Sequence, residues 1–92
     1  MAVKVRVPTL LRKEVGGLAV VEANGGGTLG DVLEHLDRRY PGLKARLVTE
    51  DGKLHRFVNV YVNDEDVRYM GSLEAEVREG DTVSILPAVA GG

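Results

Sequence analysis

The chain has 92 residues, enough for one domain that buries roughly 60–65% of its unfolded surface. A hydrophobic share of 43% against 28% charged residues fits an ordinary globular chain, and a formal net charge of -2, with Lys and Arg spread along the sequence, argues against a nucleic-acid footprint. Cysteine is absent, which excludes disulfides, thiolate metal sites and a thiol nucleophile, so any sulfur chemistry must run on something other than a side-chain thiol.

At the start of the chain charge alternates with valine and no continuous apolar stretch occurs, so neither a signal peptide nor a membrane span is expected, and the expected compartment is the cytoplasm. Val3, Val5 and Val7 alternate with Lys4 and Arg6, the pattern of a half-buried strand with valines inward, and Pro8 closes it. Residues 9–15 read as a polar, basic loop punctuated by Gly16-Gly17. Residues 18–23 predict a second strand antiparallel to the first. Its inward face is either Ala19, Val21 and Ala23 or Leu18 and Val20. Thr28 is a good N-cap with Asp31 in the first turn, and Leu29, Val32, Leu33, Leu36 and Tyr40 form one helical stripe that Pro41-Gly42 ends. On the wet face Glu34 and Arg38 stand at the i,i+4 spacing of an ion pair. Residues 43–48 predict a short helical turn. Residues 57–63 predict a third strand, with Val58, Val60 and Val62 on one face and Phe57 and Tyr61 on the other. A short edge strand follows at 66–68, then one short helix over 72–77 capped by Ser72. Gly80-Asp81 turns into a last strand over 82–86, which Pro87 ends because it has no N–H to donate.

The order is two strands, a helix, two strands, a short helix and a strand. It predicts an α+β chain: a ubiquitin-like β-grasp with a small mixed sheet of about five strands and one main helix packed on one face. The first and last strands lie parallel at the sheet centre. Residues 1–87 make the domain and 88–92 a flexible tail.

Several patterns are weighed and set aside. Gly25-Gly26-Gly27-Thr28-Leu29-Gly30 matches G-x-G-x-x-G between a strand and a helix. The preceding strands form a hairpin rather than a βαβ unit, and the chain is too short for two mononucleotide halves, so a turn feeding Thr28 is the better account. Asn63-Asp64-Glu65-Asp66 lacks the glycine and distant Glu of a calcium loop. His35 and His55 have no Ser or metal-binding partner at recognisable spacing, so no metal site and no autonomous catalytic site is expected.

The tail carries more information. Ala88, Val89, Ala90, Gly91 and Gly92 have small side chains and then none, so they cannot pack as core but can thread a narrow channel. A carboxylate on Gly92 has no Cβ to shield its carbon from attack, which makes it the candidate reactive centre. Ala88, Val89, Ala90 and Gly91 are then the segment that enters partner active sites. The plainer reading is a frayed end. With 12 Gly in 92 residues, two terminal glycines arise by chance about 2% of the time, so the ending gains force only behind a ubiquitin-like body. If the valines of the third strand face the helix, Phe57 and Tyr61 lie on the open face of the sheet. Leu86, opposite in parity to Val83 and Ile85, joins them at the base of the tail as a candidate partner-docking surface; the plainer reading is strand formers half-covered by loops.

Gly80-Asp81, the apolar run of 82–86, Pro87 and the final Gly91-Gly92 resemble the MoaD/ThiS family of sulfur-carrier proteins, and the element order extends that resemblance over essentially the whole chain. Within the family, residues 54–68 are similar to the CysO type, which serves cysteine biosynthesis in actinobacteria. The Gly25-Gly26-Gly27 turn is richer in glycine than the family pattern. The resemblance implies a carrier rather than an enzyme, with no cofactor of its own. An E1-like activating enzyme of the MoeB/ThiF type uses ATP to adenylate the Gly92 carboxylate, and a sulfur donor displaces AMP to leave a thiocarboxylate. It also implies a sulfur-accepting synthase, either a pyridoxal-phosphate cysteine synthase or a thiosugar synthase, a metallopeptidase that regenerates the tail, and no nucleic-acid or membrane partner. Three alternatives stay open: a ubiquitin-like modifier joined to lysines, a molybdopterin synthase small subunit, and a non-covalent binding module.

Overall fold

Alternating valines set the sidedness of β1 (Ala2–Arg6): Val3 and Val5 are fully buried while Lys4 and Arg6 are exposed. A computed structural model describes residues 2–24 and 27–87 of the chain. β2 (Val20–Asn24) runs antiparallel to β1 with Val21 opposite Val5 and Val20 opposite Arg6. Val21 and Ala23 are buried and Leu18, Ala19 and Val20 exposed, which decides between the two candidate inward faces.

The segment between these strands is not the polar loop expected. Thr9–Val15 is a 3₁₀ run that buries Leu11 and Val15, and Gly16, at φ 70, ends it in the left-handed region. Its basic residues masked an apolar pair at i,i+4, the spacing that lets two side chains reach the core from one face.

β3 (Gly27–Thr28) leads into α1 (Leu29–Arg39), which starts with a complete capping box. The Asp31 N–H donates to Thr28 Oγ1 at 3.2 Å and the Thr28 N–H donates to Asp31 Oδ2 at 3.0 Å. Gly27 makes room for this box: a Cβ there would lie 2.6 Å from Asp31 Oδ2, so the carboxylate would have to shift. Leu29, Val32, Leu33 and Leu36 are buried, and Tyr40 packs against them half-buried. Glu34 pairs with Lys44 of α2 (Leu43–Leu47) rather than with Arg38, so the expected intrahelical pair is replaced by a tie between helices.

β4 (Val58–Val62) buries its three valines as predicted and begins one residue after Phe57. Asn63 and Asp64, at φ 50 and 72, turn it into β5 (Glu65–Asp66). Two expectations are corrected beyond this point. The edge strand at 66–68 gives way to a 3₁₀ turn, Val67–Tyr69, because Asp66 accepts from the Arg68 N–H and Val67 is drawn fully into the core. The single helix at 72–77 is a 3₁₀ turn, Ser72–Glu74, followed by β6 (Glu76–Val77) paired with β3. Ala75 and Val77 are buried on either side of exposed Glu76, a period of two that a helix cannot satisfy. Ser72 itself sits at φ 55 and caps nothing.

β7 (Thr82–Pro87) completes a five-stranded sheet in the order β2-β1-β7-β4-β5, with β1 and β7 parallel and the other pairs antiparallel; β3 and β6 form a two-stranded sheet beside it. This is the mixed sheet with one main helix that the element order predicts. Pro87 is the last residue of β7 and stands opposite Val58, so the strand takes in one residue beyond the expected 82–86. Asn63 donates to Thr82 O, which puts the hydrogen-bonded pairs at 63/82, 61/84 and 59/86, and leaves Pro87 at a position that asks for no N–H toward β4. No buried polar side chain lacks a partner among the described residues.

Candidate functional site

The centre of the open sheet face is built by strand parity. Val83 and Ile85 point into the core, so Thr82, Ser84 and Leu86 point away from α1. Register then aligns one rank of side chains across four strands: Val20 opposite Arg6, Arg6 opposite Ser84, and Ser84 opposite Tyr61. Leu86 stands in the next rank opposite Asn59, toward the end where β7 leaves the sheet. Arg6, Val20, Tyr61, Ser84 and Leu86, together with Arg12 and Asp64, line a groove of about 450 Å³.

Two of the three residues expected to form a docking surface, Tyr61 and Leu86, therefore share one concavity. Tyr61 is half-buried and Leu86 is 47% exposed. Phe57 is not part of that groove. It is 53% exposed, stacked on His55 at 5.8 Å between ring centroids, with the Arg56 guanidinium 5.3 Å from its ring centre. It precedes Val58, the partner of Pro87, so it flanks the same exit from the sheet. At that exit Leu10, 67% exposed, lines a small apolar slot with Leu86 and Pro87.

Arg6, Arg12, Val20 and Leu10 are site residues that sequence reasoning passed over. Arg6 carries a usable signal: it is out of phase with buried Val3 and Val5, as Leu86 is with Ile85. Once β1 and β7 are read as neighbours, that parity puts both on the open face. Arg12 carries none, because its place depends on the 3₁₀ run and on its Nε donating to Val7 O at 3.1 Å.

The exit is braced from the far side. β5 pairs only with Tyr61 and Val62, leaving the start of β4 without a strand on the side away from β7. Arg68 stands in for it, donating to Val58 O at 2.9 Å and to Asn59 Oδ1 at 2.5 Å. At the opposite end of β7, Asp81 accepts from the Arg78 backbone N–H at 2.9 Å and from Asn63 Nδ2 at 2.8 Å. The Arg78 backbone bond first, then the Asn63 bond, with the Arg78 charge a smaller addition, hold its carboxyl below the usual value against a weak opposing effect of desolvation.

Ala88, Val89, Ala90, Gly91 and Gly92, the expected reactive end, lie outside the described residues. Among the described residues no cluster of three His, Cys, Asp or Glu could hold a metal ion. No helix among them is long and apolar enough to cross a membrane.

The model of the ThiS family matches residues 5–92, from the middle of β1 through both final glycines. The chain belongs to the ThiS family of sulfur carriers. Its ThiS-family relatives include the sulfur carrier protein CysO of Mycobacterium bovis, 53% identical over 94 residues and covering the whole of both chains. Among solved structures, that of the Amycolatopsis orientalis BexX/CysO complex holds a chain 59% identical to this one. The TM-score is 0.91, over 99% of this chain and 100% of the other. Small archaeal modifier protein 3 of Haloferax volcanii is 36% identical over 93 residues, again covering both chains fully. The fold is thus the ubiquitin-like β-grasp, and the resemblance read from the last strand and final glycines is borne out over the full length.

Proposed function

We propose that this ThiS-family chain carries sulfur as a thiocarboxylate on Gly92 and supplies it to cysteine biosynthesis. The observation that carries the reading is that the family match runs through Gly91 and Gly92, at the end of a domain whose open face is concave and partly apolar beside the exit of β7. A carboxylate is a poor electrophile. Attack of a Gly92 oxygen on the α-phosphorus of ATP expels pyrophosphate and leaves an acyl adenylate. A sulfur nucleophile then adds at the carbonyl carbon, AMP departs, and the thiocarboxylate remains. An E1-like enzyme of the MoeB/ThiF type catalyses both steps, while the carrier supplies no general base and binds no cofactor. Its contribution is presentation and recognition.

Residues 1–87 act as the gripping domain and 88–92 as the lead. The five residues beyond Pro87 span at most about 17 Å, enough to place Gly92 inside an active site while the body stays outside. Tyr61 and Leu86 in the groove and Phe57 beside the exit form the docking surface. The sulfur acceptor is a synthase, either a pyridoxal-phosphate cysteine synthase or a thiosugar synthase; the pairing of the A. orientalis CysO with BexX supports docking on an enzyme of the BexX kind. With a cysteine synthase, a metallopeptidase then regenerates Gly-Gly. Such chemistry belongs in the cytoplasm.

The archaeal relative favours one second reading, conjugation of Gly92 to lysines. Intact-mass analysis after incubation with activating enzyme, ATP and sulfide separates the two. One oxygen exchanged for sulfur supports the carrier, and a ladder of lysine conjugates without that exchange supports the modifier.

A further inference from the structure

Building on the sulfur-carrier reading, we propose that the groove across β1, β7 and β4 seats a partner enzyme of the BexX kind through an acidic side chain flanked by apolar ones. The guanidiniums of Arg6 and Arg12 receive the carboxylate, while Val20 and Leu86 take the apolar flanks.

Three observations converge on this. The first is reach. A lead of five residues spans at most about 17 Å, so a body that holds Gly92 lies within that reach of the end of β7, and the groove opens there beside Leu86. The second is charge. The chain is net negative at -2, yet Arg6 and Arg12 both line this groove, and among the described residues neither has an ion pair. Arg12 spends only its Nε, on Val7 O, leaving its two terminal nitrogens free to bind a carboxylate end-on. Asp64 is the one carboxylate in the lining. The third is apolar surface. Val20 and Leu86 are each nearly half exposed, at 46% and 47%, Val20 beside Arg6 in its own rank on β2 and Leu86 one rank further along β7. Cations bracketed by half-exposed aliphatic side chains select a mixed surface over a purely acidic or purely apolar one, and the unlike charge speeds encounter as well as fixing register.

The test is calorimetric titration of purified A. orientalis BexX with the full chain, comparing the unmodified protein with Arg6→Glu, Arg6→Gln and, as a remote control, Arg78→Glu. Thermal melts verify that each variant folds. The proposal expects Arg6→Glu to weaken binding by at least about tenfold, Arg6→Gln to fall between, and Arg78→Glu to stay within about twofold. Raising salt should weaken the unmodified chain more than Arg6→Glu. If Arg6→Glu binds as well as the unmodified chain while deletion of Gly91 and Gly92 abolishes binding, the groove assignment is overturned and the tail chemistry stands. If binding tracks Arg6 but no thiocarboxylate can be installed, the carrier reading fails and the groove survives. Failure of the unmodified chain to bind BexX at all would overturn the proposal. So would a shift of the Arg6 and Val20 amide resonances on deleting the two glycines from the free chain, since the groove would then be filled by the chain's own end.

Discussion

At the scale of single residues, the start of α1 is the most tightly specified point. Thr28 and Asp31 exchange two hydrogen bonds, and Gly27 leaves the space that the Asp31 carboxylate occupies in doing so. Thr28→Ala should cost about 1 kcal/mol of stability, the ordinary worth of a side-chain cap, measured by urea denaturation. Gly27→Ala should destabilise by breaking the same box, and its effect should shrink when combined with Asp31→Ala, because the clash is with that side chain. Asp81 sets a pH dependence. Its folded pKa is depressed by the Arg78 and Asn63 bonds, so its contribution is fully present above the unfolded carboxylate value and is lost as pH falls through the lower folded value. The Asp81→Ala variant should therefore be less stable than the parent at neutral pH and match it in strong acid. Equal gaps at both pH values would refute the assignment. The cap was legible beforehand because a Thr with Asp three residues on is a local pattern. The Asp81 bonds were not, because one partner, Asn63, is 18 residues away.

At the scale of elements, the same division holds. α1 was readable from its stripe of Leu29, Val32, Leu33 and Leu36, all now buried, and Leu33→Ala should cost roughly 2–5 kcal/mol by chemical denaturation. The strands β1, β4 and β7 were readable from period-two valines. What failed was short and decided from outside. Thr9–Val15 looked like loop because its charges hide Leu11 and Val15, and β6 looked helical because its two residues are strand only by pairing with Gly27 and Thr28. Arg68 belongs to this class. It replaces a missing strand along the first half of β4, opposite Leu86 and Pro87. Arg68→Ala should raise hydrogen exchange at Asn59 and Leu86 well above the change at Val5 and Val21. A uniform rise would mean that the residue supports global stability and not this edge.

At the scale of the whole molecule, one face of the sheet packs on α1 and the other is the proposed docking face. On that proposal the docking surface lies beside the end of β7, so partners must take turns. BexX should compete with the activating enzyme for this chain, and the formation of a ternary complex on size-exclusion chromatography would contradict that. Among the described residues the buried apolar ones run from Val3 to Ile85, and removing Gly91 and Gly92 should leave the melting temperature unchanged while abolishing activation. The family was legible in the sequence because glycines, proline and strand register are local and ordered. The charged half of the groove was not, because Arg6 and Arg12 meet Leu86 only after β1 has been placed against β7. The most direct test is tandem mass spectrometry of the C-terminal peptide after incubation with activating enzyme, ATP and sulfide. A sulfur-for-oxygen exchange localised to Gly92 is the predicted result. Sulfur on any other residue, or an unchanged Gly92 in a chain that still supports sulfur transfer, would contradict the account.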